Sequence, residues 1–312
     1  MSYSSFAEIE AEARSLGRVR LSVAAAHDAC VLQAVKVSVD KGLVEPVLVG
    51  DGRKIEKLAD QVGLSLEGVE IINTSSDEQA ASEAVKVVSA GRAEVLLKGM
   101  VNSSDFMRAV LSRDYGLKNG RLLSHLAVMQ IPGYERLLFI TDGGINVQPN
   151  LVQKKEILQN AVNFMRDLGW KEPKAAVLTA NEKMAVNMPT TLDAALLVKM
   201  AQDGEIQHAV VEGPMALDIA VSSQASHHKG INTVVAGHAD LLLVPTIEVG
   251  NALAKALVFF AGATMAGVVL GTAVPIILTS RVSSPEEKHY SIAMSCLAKQ
   301  KPRNQLSRAA TS

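Results

Sequence analysis

Residues 19–25 are mostly apolar, and His27-Asp28 opens a stretch in which Val31, Leu32, Val35 and Val39 fall on one helical face before Gly42. That switch of period predicts a strand followed by an amphipathic helix. The alternation continues with expected strands over 47–49, 69–72 and 95–97 and helices over 55–62 and 78–88. Such a series predicts a parallel sheet with helices on both faces. Ser103 and Ser104 then stand where they can cap a helix through Phe106, Ala109 and Val110, and strands are expected over 122–129 and 137–140,.

A second alternating series follows, so a lobe boundary is expected near Gly133. Its helices are expected over 152–168, 192–201 and 251–260, and its strands over 175–178, 209–211, 241–244 and 275–279. A last amphipathic helix over 287–298 is placed to return to the first lobe,. The expected organisation is a first α/β lobe over 1–133, joined by 286–312, and a second over 134–285. At about 150 residues per domain, a 312-residue chain gives each lobe enough length to bury a core,.

Composition narrows the function classes. Thirty-one Lys+Arg against 32 Asp+Glu leaves a net charge of −1, with no global field to hold nucleic acid or an anionic membrane surface,. Small-molecule substrates are the expected partners. The two cysteines, Cys30 and Cys296, lie far apart and read as buried or half-buried thiols of a reduced, cytoplasmic protein,. The polar start over 1–17 lacks the basic-then-apolar order of a secretory signal,. The uncharged run over 256–278 has the length of a membrane span, but Gly262, Gly267, Gly271 and Pro275 divide it into a helix end, a turn and a strand,.

A doubly wound sheet binds ligands outside the carboxyl ends of its strands, which singles out four segments. In the first, 98–105, Ser103 and Ser104 open a helix whose free N–H groups and dipole suit a phosphate, or serve only as a cap,. Arg108 lies one turn further along and can add a bidentate contact, or face solvent,. In the second, Thr279-Ser280-Arg281 follows an apolar strand, so the guanidinium of Arg281 points either into a crevice or into a solvated loop,. The third, 212–218, places Asp218 at a helix start after a Gly-Pro turn. The fourth, 245–251, leads to Asn251 and, one turn on, Lys255, as ligand contacts or as a capped start. His227-His228 diverge on a helix and make a poor chelator, so no metal is expected; His125, inside an apolar run, reads as a core histidine or a proton shuttle,. No G-x-G-x-x-G follows the first strand, and neither a P-loop nor a G-x-S-x-G elbow is present,.

Together the strings Leu97-Lys98-Gly99-Met100-Val101, Glu212-Gly213-Pro214-Met215-Ala216-Leu217-Asp218, Gly250-Asn251 with Lys255, and Val274-Pro275-Ile276-Ile277-Leu278-Thr279-Ser280-Arg281 resemble the phosphate acetyltransferase and phosphate butyryltransferase family over nearly the whole chain. Leu123-Ser124-His125-Leu126-Ala127-Val128 and Ile140-Thr141-Asp142 are closer to the butyryl branch. The resemblance implies two doubly wound α/β lobes with a cleft between them, similar to isocitrate and isopropylmalate dehydrogenases. It further implies reversible acyl transfer between coenzyme A and inorganic phosphate, no tightly bound cofactor, and a homodimer or larger homo-oligomer. Carried onto this chain, it implies Ser103, Ser104 and Arg281 at the phosphate, Arg108, Lys255, Asn251 and Asp218 as further substrate contacts, and Ser280 at the reacting carbonyl or leaving group. Acetyl-transferring relatives carry an aspartate, as base, seven positions after that serine, where this chain has Glu287. Val282-Ser283-Ser284, Thr246 and His238 depart from the family pattern. Two other readings stand beside this one: a non-catalytic relative that binds acyl-coenzyme A, and a metal-dependent β-decarboxylating dehydrogenase, whose clustered aspartates are here only the scattered Asp142, Asp218 and Asp240.

Overall fold

The computed structural model describes residues 3–280 and 282–300, and the chain packs as two compact units. An outer unit combines Phe6–Arg121 with residues 266–300, and an inserted unit is built on Leu122–Met265 with residues 3–5. The outer unit opens with α1 (Phe6–Ser15) and then alternates β1 (Val19–Ala24), α2 (Ala29–Asp40), β2 (Val44–Gly50), α3 (Gly52–Val62), β3 (Glu70–Asn73), α4 (Asp77–Ser89), β4 (Val95–Lys98) and α5 (Ser103–Val110). The helix starts follow from short polar side chains that take up orphan N–H groups. Asp28 accepts from the Val31 amide, Asp51 from Lys54 and Ser76 from Gln79,.

The inserted unit contributes β5 (Ser124–Gln130), β6 (Leu138–Thr141), α6 (Leu151–Leu168), β7 (Lys174–Leu178), α7 (Pro189–Gln202), β8 (Val210–Met215), the short α8 (Leu217–Val221) and α9 (Ser223–His228), β9 (Leu241–Leu243) and α10 (Ile247–Ala261). An Asn150–Gln153 capping box starts α6, and Gly169, at φ +118°, ends it,. The chain passes back to the outer unit within β10 (Thr264–Leu270) and continues through β11 (Ile276–Ile277) and α11 (Pro285–Gln300).

Strand order in the outer unit is β3-β2-β1-β4-β11-β10, parallel except for the β10–β11 pair. In the inserted unit it is β5-β6-β9-β7-β8, with only β5 antiparallel to its neighbour. The outer core is the near-continuous apolar set of β1, β2 and β4, including Leu21, Val23, Leu48, Leu96 and Leu97, with Ile292 and Leu297 of α11,. The inserted core joins Met129, Ile140, Ala176, Met215 and Leu242, with Leu253 and Leu257 of α10 packed against it.

Several boundaries move from their expected places. The crossings between units fall at 121/122 and 265/266 rather than at 133 and 286, because β5 pairs with β6 while β11 pairs with β4. The run over 256–278 is the end of α10 followed by β10 and β11, and the strand expected over 275–279 is only Ile276–Ile277. No helix among the described residues is long and apolar enough to cross a membrane. Ser103 and Ser104 lie inside the first turn of α5, whose N-cap is Asn102.

Candidate active site

In the outer unit, β4 ends in Lys98 and turns sharply at Gly99. A Cβ there would lie 2.4 Å from the carbonyl oxygen of Ala25, so only glycine lets the loop lie against the end of β1,. The Gly99 and Met100 amides complete the fit, donating to Ala24 and Ala25 carbonyls at 2.8 and 2.9 Å. That turn delivers Ser103 and Ser104, both exposed, to the start of α5. Arg108 projects from the last turn and pairs with Asp105 at 2.9 Å, with most of its guanidinium surface still in solvent. A cavity of about 250 Å³ lies here, lined by Glu78, Ser82, Asp105, Arg108, Ser112 and Tyr115.

Beyond β11, Ser280 lies exposed in a tight turn, with the Ser283 amide donating to its carbonyl at 3.1 Å. Arg281 falls outside the described residues. The turn is anchored from below by Lys288, a buried ammonium that donates to the carbonyls of Ser283 at 2.7 Å and Ser280 at 3.3 Å. The half-buried Cys30 thiol adds a contact to Ser283 O at 3.4 Å. Glu287 is held in a capping box: Oε2 accepts from the Ser284 amide at 2.8 Å and the Glu287 amide donates back to Ser284 Oγ at 3.1 Å,. Cys296 is buried, and desolvation pushes its thiol pKa well above the ordinary value.

In the inserted unit, α10 starts hard against the loop after β6. A Cβ on Gly143 would lie 2.9 Å from the Gly250 carbonyl carbon, and one on Gly250 would lie 2.8 Å from the Gly143 Cα. Asn251 donates from Nδ2 to Gly143 O at 3.3 Å. One turn on, exposed Lys255 makes no hydrogen bond or ion pair among the described residues. Asp142 is caged by its own loop, accepting from the Gly144, Ile145 and Asn146 amides and from Asn146 Nδ2. Asp218 pairs with Lys229 at 3.1 Å, and that hydrogen bond holds its carboxyl below the ordinary value. Glu212 is occupied in clamping the loop at Thr233, Val234 and Val235. Among the described residues no three His, Cys, Asp or Glu side chains gather as a metal site.

The chain matches the family model described as phosphate acetyl/butaryl transferase over residues 6–87 and 77–296. It is 41% identical to the phosphate butyryltransferase of Clostridium acetobutylicum, over 94% of this chain and 97% of that one. It is 42% identical to the phosphate acetyltransferase of Rhizobium meliloti, over 83% and 82% of the two chains. The crystal structure of a branched-chain phosphotransacylase from Enterococcus faecalis superposes with a TM-score of 0.81 at 32% identity, over 91% of this chain and all of that one. The chain belongs to the phosphate acetyl/butyryl transferase family.

For this phosphate acyltransferase family member, the outer unit brings together Ser103, Ser104 and Arg108 on α5, and Ser280 with Glu287 around the turn after β11. The inserted unit brings together Asn251 and Lys255, whereas Asp218 stands apart on α8 with Lys229. Sequence reasoning passed over Lys288, since a lysine in an amphipathic helix is by default solvated, and nothing in its spacing marks it as buried. It also passed over the Gly143–Gly250 contact, whose only sequence signal is a glycine pair after β6 and another glycine ahead of Asn251.

Proposed function

We propose that this chain is a phosphate butyryltransferase or phosphate acetyltransferase that runs acyl-CoA + phosphate = acyl phosphate + CoA on short acyl chains. The observation that carries this reading is the full-length similarity to phosphate butyryltransferase. Phosphate is held by the exposed first turn of α5, through Ser103 and Ser104, with Arg108 and Arg281 neutralising it,. Asn251, Lys255 and Asp218 bind coenzyme A, Lys255 as an unpaired cation and Asp218 as an acceptor kept anionic by Lys229. Ser280 donates to the carbonyl or the leaving group.

A free thiol is only a few per cent thiolate at neutral pH, so attack of CoA on acyl phosphate benefits from a base. Glu287 takes this role through Oε1, with Oε2 fixed by the Ser284 amide. The lobes are doubly wound and similar to those of isocitrate and isopropylmalate dehydrogenases, as the parallel strand order in each unit supports. The protein works in the cytoplasm as a homodimer or larger homo-oligomer. It needs no tightly bound cofactor, and its partners are the small molecules of the reaction: acyl-CoA, phosphate, acyl phosphate and CoA.

A second reading, binding of acyl-CoA without turnover, is favoured by the engagement of Glu287 as a helix cap. One assay separates the two: purified protein with acetyl-, propionyl- or butyryl-CoA, with and without phosphate, followed with a thiol reagent. Phosphate-dependent thiol release is expected, and relative kcat/KM values name the acyl group. No release with any chain, from folded protein that still binds CoA, would establish the binding role instead.

A further inference from the structure

His125 is the second residue of β5, one position before Leu126, which pairs with Thr141, the last residue of β6, and so it stands at the carboxyl edge of the parallel strands of its unit. Two contacts fix it there. Thr141 Oγ1 donates to the His125 carbonyl at 2.8 Å, and the imidazole packs against Gly144, where a Cβ would come within 2.8 Å of its Cγ. The same loop supplies Gly143 O to Asn251, so the ring shares its surroundings with the amide assigned above to substrate.

The ring is half-buried, and Nδ1 is the enclosed nitrogen, with no hydrogen-bond partner among the described residues. Its charged neighbour is Asp142, but both oxygens of that carboxylate are taken by donors of the 144–146 loop. An enclosed N–H without an acceptor costs more than an enclosed lone pair, so the favoured tautomer leaves Nδ1 bare and places the hydrogen on Nε2. Burial lowers the histidine pKa, and the field of Asp142 only partly opposes that,. His125 is therefore a fixed neutral donor and a poor phosphate ligand, because phosphate is better held by a cation.

We propose that His125 is a catalytic residue of the acyl-transfer reaction, donating from Nε2 to the acyl carbonyl oxygen. Negative charge develops on that oxygen when thiolate or phosphate attacks, and a donor that needs no reorganisation is most effective there. The inference rests on the acyl-transfer reading and adds to it a residue in the inserted unit.

Long-range ¹H–¹⁵N spectra of the whole protein, with His125 assigned by comparison with His125→Gln, should show an Nε2–H imidazole that is neutral at about pH 7 and protonates only below the ordinary histidine value of 6.5,. In the thiol-release assay His125→Phe should lose about 10²- to 10³-fold in kcat with the phosphate KM unchanged, and His125→Gln, which keeps an N–H at that reach, should recover part of the loss. An Nδ1–H or doubly protonated ring at neutral pH overturns the proposal. So does wild-type kcat in folded His125→Phe, or in His125→Gln and His125→Ala if the phenylalanine variant does not fold, and so does a loss confined to the phosphate KM. Absence of thiol release by the wild-type protein would instead remove the acyl-transfer reading itself, and this inference with it.

Discussion

Lys288 holds its ammonium inside the outer unit against the carbonyl oxygens of Ser280 and Ser283, with no carboxylate among its hydrogen bonds to the described residues. Its work is positional. Lys288→Met keeps the volume and removes both tethers, so the turn that carries Ser280 loses its anchor while the core keeps its packing. The expected result is a fall of about 10- to 100-fold in kcat with a Tm within a few degrees of wild type, since preorganised donors lose rate quickly when misplaced. Unchanged kcat would mean that the turn does not need the tether. Gly99 answers a different demand: Gly99→Ala drives a Cβ to 2.4 Å from Ala25 O and 2.5 Å from Ala24 O, both backbone atoms that cannot swing away. A loss of about 2–4 kcal/mol in denaturant unfolding is expected, and a midpoint equal to wild type would show that the strand ends relax more easily than the contact implies. These two residues mark what was legible in the site. The Lys98-Gly99-Met100 string was legible as part of the family resemblance, and the structure supplies its reason, a close backbone approach that only glycine allows. Lys288 did not, because burial of a charge depends on carbonyls that only the folded turn supplies.

Helix α1 shows how an element can be fixed by a partner at the far end of the chain. Its Phe6 ring stacks on Tyr290 of α11 with centroids 4.8 Å apart, and Glu10 meets His289 at 2.9 Å and Lys41 at 2.9 Å. Burial acts to raise the Glu10 pKa, but hydrogen bonds from His289 and Lys41 outweigh it, and the carboxyl lies below its ordinary 4.5,. A folded-state pKa lower than the unfolded one contributes stability that is full above 4.5 and is lost as pH falls through the lower folded value,. Acid should therefore loosen α1 from α11, and Glu10→Gln should be about 1 kcal/mol less stable than wild type at pH 7, with the gap closing as pH falls below 4.5,. A constant gap between wild type and variant from neutral pH down to acid would contradict the linkage. The period of Phe6, Ile9 and Ala13 was present in the sequence, yet the Glu- and Ser-rich start masked it. β10 was missed for the opposite reason. Its Thr264–Leu270 stretch sits in an apolar run bounded by glycines, where a buried strand and a buried helix end read alike,.

At the scale of the molecule, the alternating pattern was enough to give an α/β architecture in two parts, but not where the chain crosses between them. Crossing points depend on which strands pair, and β11 has only two residues with which to advertise its place beside β4. The outer unit is consequently discontinuous: β4 depends on a strand, and α1 on a helix, that are both made after Met265. α11 alone buries Ile292, Ala293, Met294, Cys296 and Leu297 completely. At roughly 1.5–3 kcal/mol for each large apolar side chain, their loss is comparable with the 5–15 kcal/mol that stabilises a typical domain. A chain ending at Met265 should therefore leave the outer unit without a cooperative transition, binding a hydrophobic dye and giving collapsed amide dispersion for β1, β2 and β4. Supplying residues 266–312 as a separate polypeptide should restore the dispersion, because β11 and α11 carry the missing contacts. If the shortened chain instead kept native shifts in β1 and β4, the outer unit would be stable on its amino-terminal half, and the return of the chain would serve to deliver Ser280 rather than to complete a core.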